Sequence, residues 1–317
     1  MLSRVAENLY WMARYIERAE NTARLINVNA FLLFDLPAGI APGWQPIVAI
    51  SGMDEAFSKR YTEYSERNCV KFLLGDSENP SSVIASLAAA RENCRTVREI
   101  LPRLIWEALT ELYLFAKENA ASGLTKKGRH AYLKGVIEGS QKISGILNST
   151  LMRDEAYHFI RIGRHLERAD MTSRILDVRT VNLLPEETPE LRPFETIQWM
   201  SVLKTLTGYN AYRRKKQTRV QRKVVLSFLL QDSTFPRSVT FSLEALQHSL
   251  LTLKNNDLLL ASVSGLLKKL ATTDVGDLKQ QELHSFIDEL QLSFIRINQL
   301  LAETYFFRAK GRQGALA

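Results

Sequence analysis

The chain writes nearly the same helical phrase twice. Residues 15–26 read YIERAENTARLI and residues 165–176 read HLERADMTSRIL. Setting residue n beside n+150 matches Arg14 with Arg164, Glu17 with Glu167, Arg18 with Arg168, Ala19 with Ala169, Thr22 with Thr172, Arg24 with Arg174 and Val28 with Val178. Glu20 falls against Asp170, an acid for an acid. A second block follows in the same order, FLLGDSENPSSVIASLAAA (72–90) against FLLQDSTFPRSVTFSLEAL (228–246), at an offset of 156. Phe72/Phe228, Asp76/Asp232, Ser77/Ser233, Pro80/Pro236, Ser82/Ser238, Val83/Val239 and Leu87/Leu243 are identical pairs. Two blocks in one order at nearly one offset predict an internal duplication of a unit of about 150 residues, a period far longer than that of solenoid repeats. The expected units are 1–150 and 151–317, packed together as one body.

Each unit reads as helices, so the expected fold class is all-α. Leu9, Met12, Ile16, Ala19, Ala23 and Ile26 recur at alternating steps of three and four, and Phe159, Ile162, Leu166, Ala169, Ser173 and Leu176 repeat the pattern. Such a seam is one apolar helix face. The nine prolines leave 103–184 and everything after 236 free, which permits long helices there. DSENPSS and DSTFPRS read as turns whose short polar side chains cap a following helix, with proline near its start. Helices are expected at about 80–100, 103–120, 128–151, 194–216, 237–254, 256–271 and 278–309, with loops at 36–47 and 184–193.

Composition narrows the class of protein. Apolar content of 45% with 24% charged residues suits a folded globular chain and excludes wholesale disorder. Cys69 and Cys94 have no metal-ligand spacing and make no disulfide framework, which fits a reducing compartment. The N-terminal stretch carries charges inside its apolar pattern and is not read as a signal peptide. No apolar run approaches the ~20 residues of a membrane span, so a cytoplasmic location is expected. Much of the net charge of +8 sits in AYRRKKQTRVQRK (211–223), which holds seven basic residues. A solvated helix face or loop is the favoured reading there over a nucleic-acid or membrane-surface binding module.

Positions 13, 17, 20 and 24 line up beside the first seam, as do 163, 167, 170 and 174 beside the second. Glu20 with Arg24, and Asp170 with Arg174, are acid-to-base pairs four residues apart in the favourable order. Glu17 and Glu167 meet only Asn21 and Met171 at that spacing, and a small residue, Ala13 or Gly163, lies one turn before each. That pattern predicts a close contact in which Glu17, Arg18, Glu167 and Arg168 share one central site. The favoured reading is a set of partly buried ion pairs tying the units together. A second is a pocket in which Arg18, Arg24, Arg168 and Arg174 hold a carboxylate or phosphate. A third, a carboxylate metal site, lacks the Glu-x-x-His spacing of dimetal bundles, so neither metal nor cofactor is expected. His165 is placed on another face, and His130, His158, His248 and His284 have no triad spacing. No glycine-rich phosphate loop is present, and whether the chain is an enzyme stays open.

MLSRVAENLYWMARYIERAENTARL, NPSSV, AARENCRTVRE, IWEAL, RHLERADMTSRILDV and FPRSV together resemble the alpha-E family, an all-helical family named for its Glu-Arg motif, over about 1–305. Carried over by position, the resemblance points to Glu17, Arg18, Glu20, Arg24, Glu167, Arg168, Asp170 and Arg174. It also points to Arg91, Glu92, Asn93, Arg95 and Trp106, and to Pro236, Arg237 and Ser238. The first turn has NPSS where the second has FPRS, so Arg237 has no counterpart in the first unit. The family typically accompanies a circularly permuted ATP-grasp protein and a transglutaminase-like peptidase. The resemblance therefore implies an accessory role in an ATP-dependent system that forms amide bonds or modifies peptides. The alternative is an enzyme acting on a peptide or amino-acid amide at the Glu/Arg site.

Overall fold

A computed structural model describes residues 1–35, 43–181 and 192–306 of the chain. Among these residues there is no strand, and the helices in chain order are α1 (Ser3–Asp35), α2 (Gln45–Ser51), α3 (Asp54–Ser58), α4 (Glu66–Gly75), α5 (Val83–Thr96), α6 (Arg103–Glu118), α7 (Ala120–Leu124), α8 (Lys126–Thr150), α9 (Glu155–Val181), α10 (Arg192–Thr205), α11 (Tyr209–Lys216), α12 (Arg222–Gln231), α13 (Val239–Leu250), α14 (Asp257–Thr272) and α15 (Gln280–Leu301). A π-helical turn, Ala302–Phe306, continues α15.

The two longest helices, α1 and α9, pack on each other at the centre. Every residue of both apolar seams is buried: Leu9, Met12, Ile16, Ala19, Ala23 and Ile26 on one side, Phe159, Ile162, Leu166, Ala169, Ser173 and Leu176 on the other. Around this pair the layers correspond. α5 lies on α1 while α13 lies on α9, and α8 flanks α1 while α15 flanks α9. α6 closes the first side against α5 and α8, and α14 closes the second against α13 and α15. α1 and α9 come into backbone contact at Gly163, where a Cβ would stand 2.3 Å from the carbonyl oxygen of Tyr10. Only a residue without a side chain lets backbone come that near to backbone.

The turns before α5 and α13 share a mechanism. Ser82 Oγ accepts from the Ala85 amide and Ser238 Oγ from the Phe241 amide, each satisfying a free donor at a helix start. Asp232 Oδ1 accepts from the amides of Thr234 and Phe235 and so shapes the second turn. Both prolines, Pro80 and Pro236, stand two residues ahead of these caps rather than inside the first helical turn, so α5 starts later than its expected bound.

Several other expected bounds are corrected. The helix expected over 194–216 is two helices, broken after α10, where Thr207 adopts φ 54°. The amide of Gly208 reaches back to the carbonyl of Leu203 at 2.7 Å, and that of Thr207 to Lys204, which closes the helix end. A side chain at Gly208 would meet the ring of Phe235 at 2.9 Å, so the break is also a packing point. The loop expected at 36–47 gives way to α2 from Gln45, and residues 36–42 lie outside the described part. Of the loop expected at 184–193, residues 184–191 lie outside it, and α10 already begins at Arg192. The last helix ends at Leu301 rather than 309, with 307–309 outside the described residues. The basic stretch 211–223 spans α11, a link and the start of α12, and some of its charges are answered locally. Lys215 pairs with Asp232 at 2.6 Å and Lys223 with Asp277 at 2.5 Å. Among the described residues no helix is long and apolar enough to cross a membrane.

Candidate functional site

The close approach at Gly163 brings the two Glu-Arg motifs face to face, and they exchange forks. Arg18 donates from Nε to Glu167 Oε1 at 2.6 Å and from Nη2 to Oε2 at 3.0 Å. Arg168 donates from Nε to Glu17 Oε1 at 2.9 Å and from Nη2 to Oε2 at 2.7 Å. Each is a two-pronged guanidinium–carboxylate pair, the geometry in which arginine binds carboxylate best. Both glutamates are 2% exposed, so these pairs lie inside the molecule.

Beyond the exchange the two sides differ. Glu167 receives a third donor, Arg14 Nε at 2.7 Å, and Arg14 Nη1 is itself held by Tyr10 Oη and Asn298 Oδ1, both at 3.0 Å. Glu17 is instead met by Arg237 Nη1 at 3.0 Å and by Asn21 Nδ2 at 3.4 Å. Arg237 also donates to Asn21 Oδ1 and Glu20 Oε1, each at 2.7 Å, and Glu20 accepts from Arg24. The turn before α13 is anchored to α9 so that it can deliver Arg237. Thr172 Oγ1 donates to the Arg237 carbonyl at 3.0 Å, and Arg168 Nη1 to the Pro236 carbonyl at 3.3 Å. Asp170 and Arg174 form a separate pair at 3.0 Å. They share a small polar recess of about 190 Å³ with Arg18, Glu167, Ser81 and Gly52.

Glu17, Arg168, Arg237, Glu20 and Arg24 thus make one hydrogen-bonded net, Glu167 and Arg18 a second, and Asp170 and Arg174 a third pair. Asn21, read from spacing as no partner for Glu17, is an amide donor to it. Three further members, Arg14, Tyr10 and Asn298, were not singled out by the sequence reading. Arg14 carried a signal, its identity with Arg164 across the alignment; Asn298, nearly 300 residues away in the chain, carried none. Arg91 and Trp106 lie elsewhere, stacked on each other with the guanidinium 4.9 Å from the ring centre, and Arg95 pairs with Glu92 at the surface.

Burial by itself raises a carboxyl's pKa, but here the guanidinium groups win. Arg168 and Arg237 hold Glu17 well below the usual carboxylate range, and Arg18 and Arg14 bring Glu167 down to about 2. Arg18 and Arg168 are correspondingly raised by their glutamates against the opposing cost of burial. Neither glutamate is poised to trade a proton near neutral pH, which general acid–base catalysis requires. Nor is their oxygen set open to a metal, since guanidinium groups occupy it. Among the described residues, a grouping of donors of metal-binding type occurs at Asp177, His284 and Asp288, partly exposed and away from this net.

The depressed carboxyls carry a pH signature. The folded chain releases these protons more readily than the unfolded chain, so their stabilisation is complete above the ordinary value of 4.5 and is lost as pH falls toward about 2. Urea unfolding of the wild type and Glu167→Gln at stepped pH should show a stability gap that is constant near neutrality and closes below pH 4.5. A gap unchanged down to about pH 3 would contradict the assignment.

Residues 1–306 match the alpha-E family model, described as a predicted alpha-helical domain with a conserved ER motif. The chain is also 23% identical over 266 residues to an uncharacterized protein of Mycobacterium bovis, an alignment covering 78% of this chain and 29% of that protein. Two uncharacterized proteins of Mycobacterium tuberculosis align over the same shares at the same identity. The chain therefore spans less than a third of the length of the curated relatives it matches. No solved structure matches it.

Proposed function

The chain belongs to the alpha-E family, and from that premise we propose that it is a non-catalytic partner of a circularly permuted ATP-grasp ligase in a system that forms amide bonds or modifies peptides. One observation carries the reading: the motif for which the family is named is spent on itself. Its glutamates are ionised, buried and saturated by arginine, which leaves neither of them free to act on a substrate as base or nucleophile. The cysteines supply none either. Cys69 and Cys94 are free and buried, and burial pushes each thiol up to about 12. Relatives more than three times as long as the matched segment suit a helical module that works beside further polypeptide. We read the two halves, 1–150 and 151–317, as copies of one unit joined through the exchanged forks, and we place the protein in the cytoplasm. A transglutaminase-like peptidase is a further proposed member of the system.

The deciding experiment is a pull-down with a circularly permuted ATP-grasp protein, followed by ATP turnover with and without this chain. Capture together with a change in turnover supports the reading; no capture and unchanged turnover oppose it. A simpler expectation concerns the thiols. In the folded protein, both should react with a thiol reagent only as fast as the core opens, so that mild urea speeds labelling steeply. Prompt stoichiometric labelling of either cysteine in buffer would show an accessible nucleophile.

A further inference from the structure

The asymmetry of the exchanged forks leaves one arginine over. Arg14 and Arg164 are aligned in sequence, and Arg14 binds Glu167 directly. On the other side Arg237 has taken the corresponding place on Glu17. Arg164, partly buried on α9, consequently has no hydrogen bond or salt bridge to any of the described residues. The next residue, His165, is 8% exposed, and its Nδ1 is buried with no hydrogen-bond partner. Buried polar groups are nearly always partnered, by protein, ordered water or an ion, so an exception calls for an explanation. His165 is such an exception, Arg164 beside it is partly exposed and unbonded, and both residues line one cavity.

That cavity has a volume of about 280 Å³. Arg161, Arg164, His165 and Arg168 line it from one face of α9, spaced at i, i+3, i+4 and i+7. No carboxylate lines it, and Ile160 and Phe241 supply apolar wall. From this arrangement we infer that the cavity is a binding site for a small organic oxyanion, a carboxylate or a phosphate, attached to one compact apolar group. The anion would lie between the guanidinium groups of Arg161 and Arg164 and the imidazole of His165, with the apolar group against Ile160 and Phe241. Arg168, whose fork is engaged by Glu17, would contribute charge rather than a second fork. Electrostatics agree with the geometry. Burial, then the neighbouring charge of Arg168, makes the protonated form of Arg164 harder to hold than usual, and burial and the surrounding arginines keep His165 well below its ordinary range. An anion in the cavity relieves both. The anion-binding chemistry expected of Arg18, Arg24, Arg168 and Arg174, each of which is paired with a carboxylate, is thereby placed at Arg164.

The test titrates the full chain with phenyl phosphate, benzoate and inorganic phosphate, read by calorimetry. Phenyl phosphate or benzoate should bind, and whichever binds more tightly identifies the headgroup. Inorganic phosphate should bind more weakly than phenyl phosphate, since it lacks the apolar group. Arg164→Met should weaken binding by about tenfold or more, as loss of a charge-assisted hydrogen bond does. The same variant should unfold at the same or a higher temperature than wild type, because it deletes a partly buried charge that has no bonded partner. Arg161→Gln, at the rim, should weaken binding without touching the core. Failure of the wild type to bind either organic anion at millimolar concentration would overturn the inference. So would undiminished binding by both variants. Equal affinity for phenyl phosphate and inorganic phosphate would overturn the apolar half of the assignment.

Discussion

Replacing Glu17 by Gln should lower the unfolding free energy by about 3–5 kcal/mol, the range seen when one member of a buried ion pair is removed. The change is nearly isosteric, so packing is not the cause. What is lost is the counter-charge of two buried groups, Arg168 and Arg237, both bonded to that carboxylate. A double-mutant cycle separates this from a diffuse effect. Arg168→Met should be costly alone, yet the double variant should cost less than the sum by roughly 1–3 kcal/mol, because the second change removes one of the charges that the first had stranded. Additive costs, or a loss below about 1 kcal/mol, would show that the exchange contributes little and would reopen the net as a functional surface.

A single added methyl should be nearly as damaging at the crossing of α1 and α9. In Gly163→Ala the new Cβ would have to stand 2.3 Å from the Tyr10 carbonyl oxygen and 3.1 Å from its carbonyl carbon. These are backbone atoms in the middle of a helix and cannot turn aside as a side-chain tip can. The helices must separate, which stretches both exchanged forks together. A cost of about 2–4 kcal/mol is expected, at or beyond the upper end for overpacking, since helix propensity itself favours alanine over glycine by about 1 kcal/mol. Thermal unfolding reads the outcome directly. Unchanged or raised stability would mean that the crossing has slack. Gly145 makes the natural control: a Cβ there meets nothing within 4 Å, so alanine should be neutral or mildly stabilising.

The central crossing was legible in the sequence because helix periodicity and local pairing are short-range signals. The seam residues are all buried, and Glu20–Arg24 and Asp170–Arg174 pair at the spacing that four-residue steps dictate. Ala13 and Gly163, small residues one turn before each glutamate, pointed to a close contact, and at Gly163 backbone meets backbone. The break at Thr207 was not legible, because threonine is an unusual residue for positive φ and the stop is set by rings packed against Gly208. Arg237's place on Glu17 and Asn298's place on Arg14 are products of tertiary packing, and no spacing rule in a single chain encodes them. The surplus of Arg164 could not be read at all, since it appears only once Arg237 is seen to occupy Glu17.

The crossed forks also set a timetable. Arg18 leaves the ribosome 149 residues before Glu167, the carboxylate that neutralises it. At about 5–20 residues per second that is a wait of roughly 7–30 s. During it, Arg14 and Arg18 lack the carboxylate that both bind in the folded chain, and the seam of α1 has no α9 to cover it. Until the second half arrives, the first half lacks both the partners of its buried arginines and the cover over its seam. Assembly then becomes a single late event in which the charges are matched and the apolar seams close together. A chain ending between residues 151 and 166 should behave accordingly, loose and readily cleaved by protease, although it already contains every residue of α1 through α8.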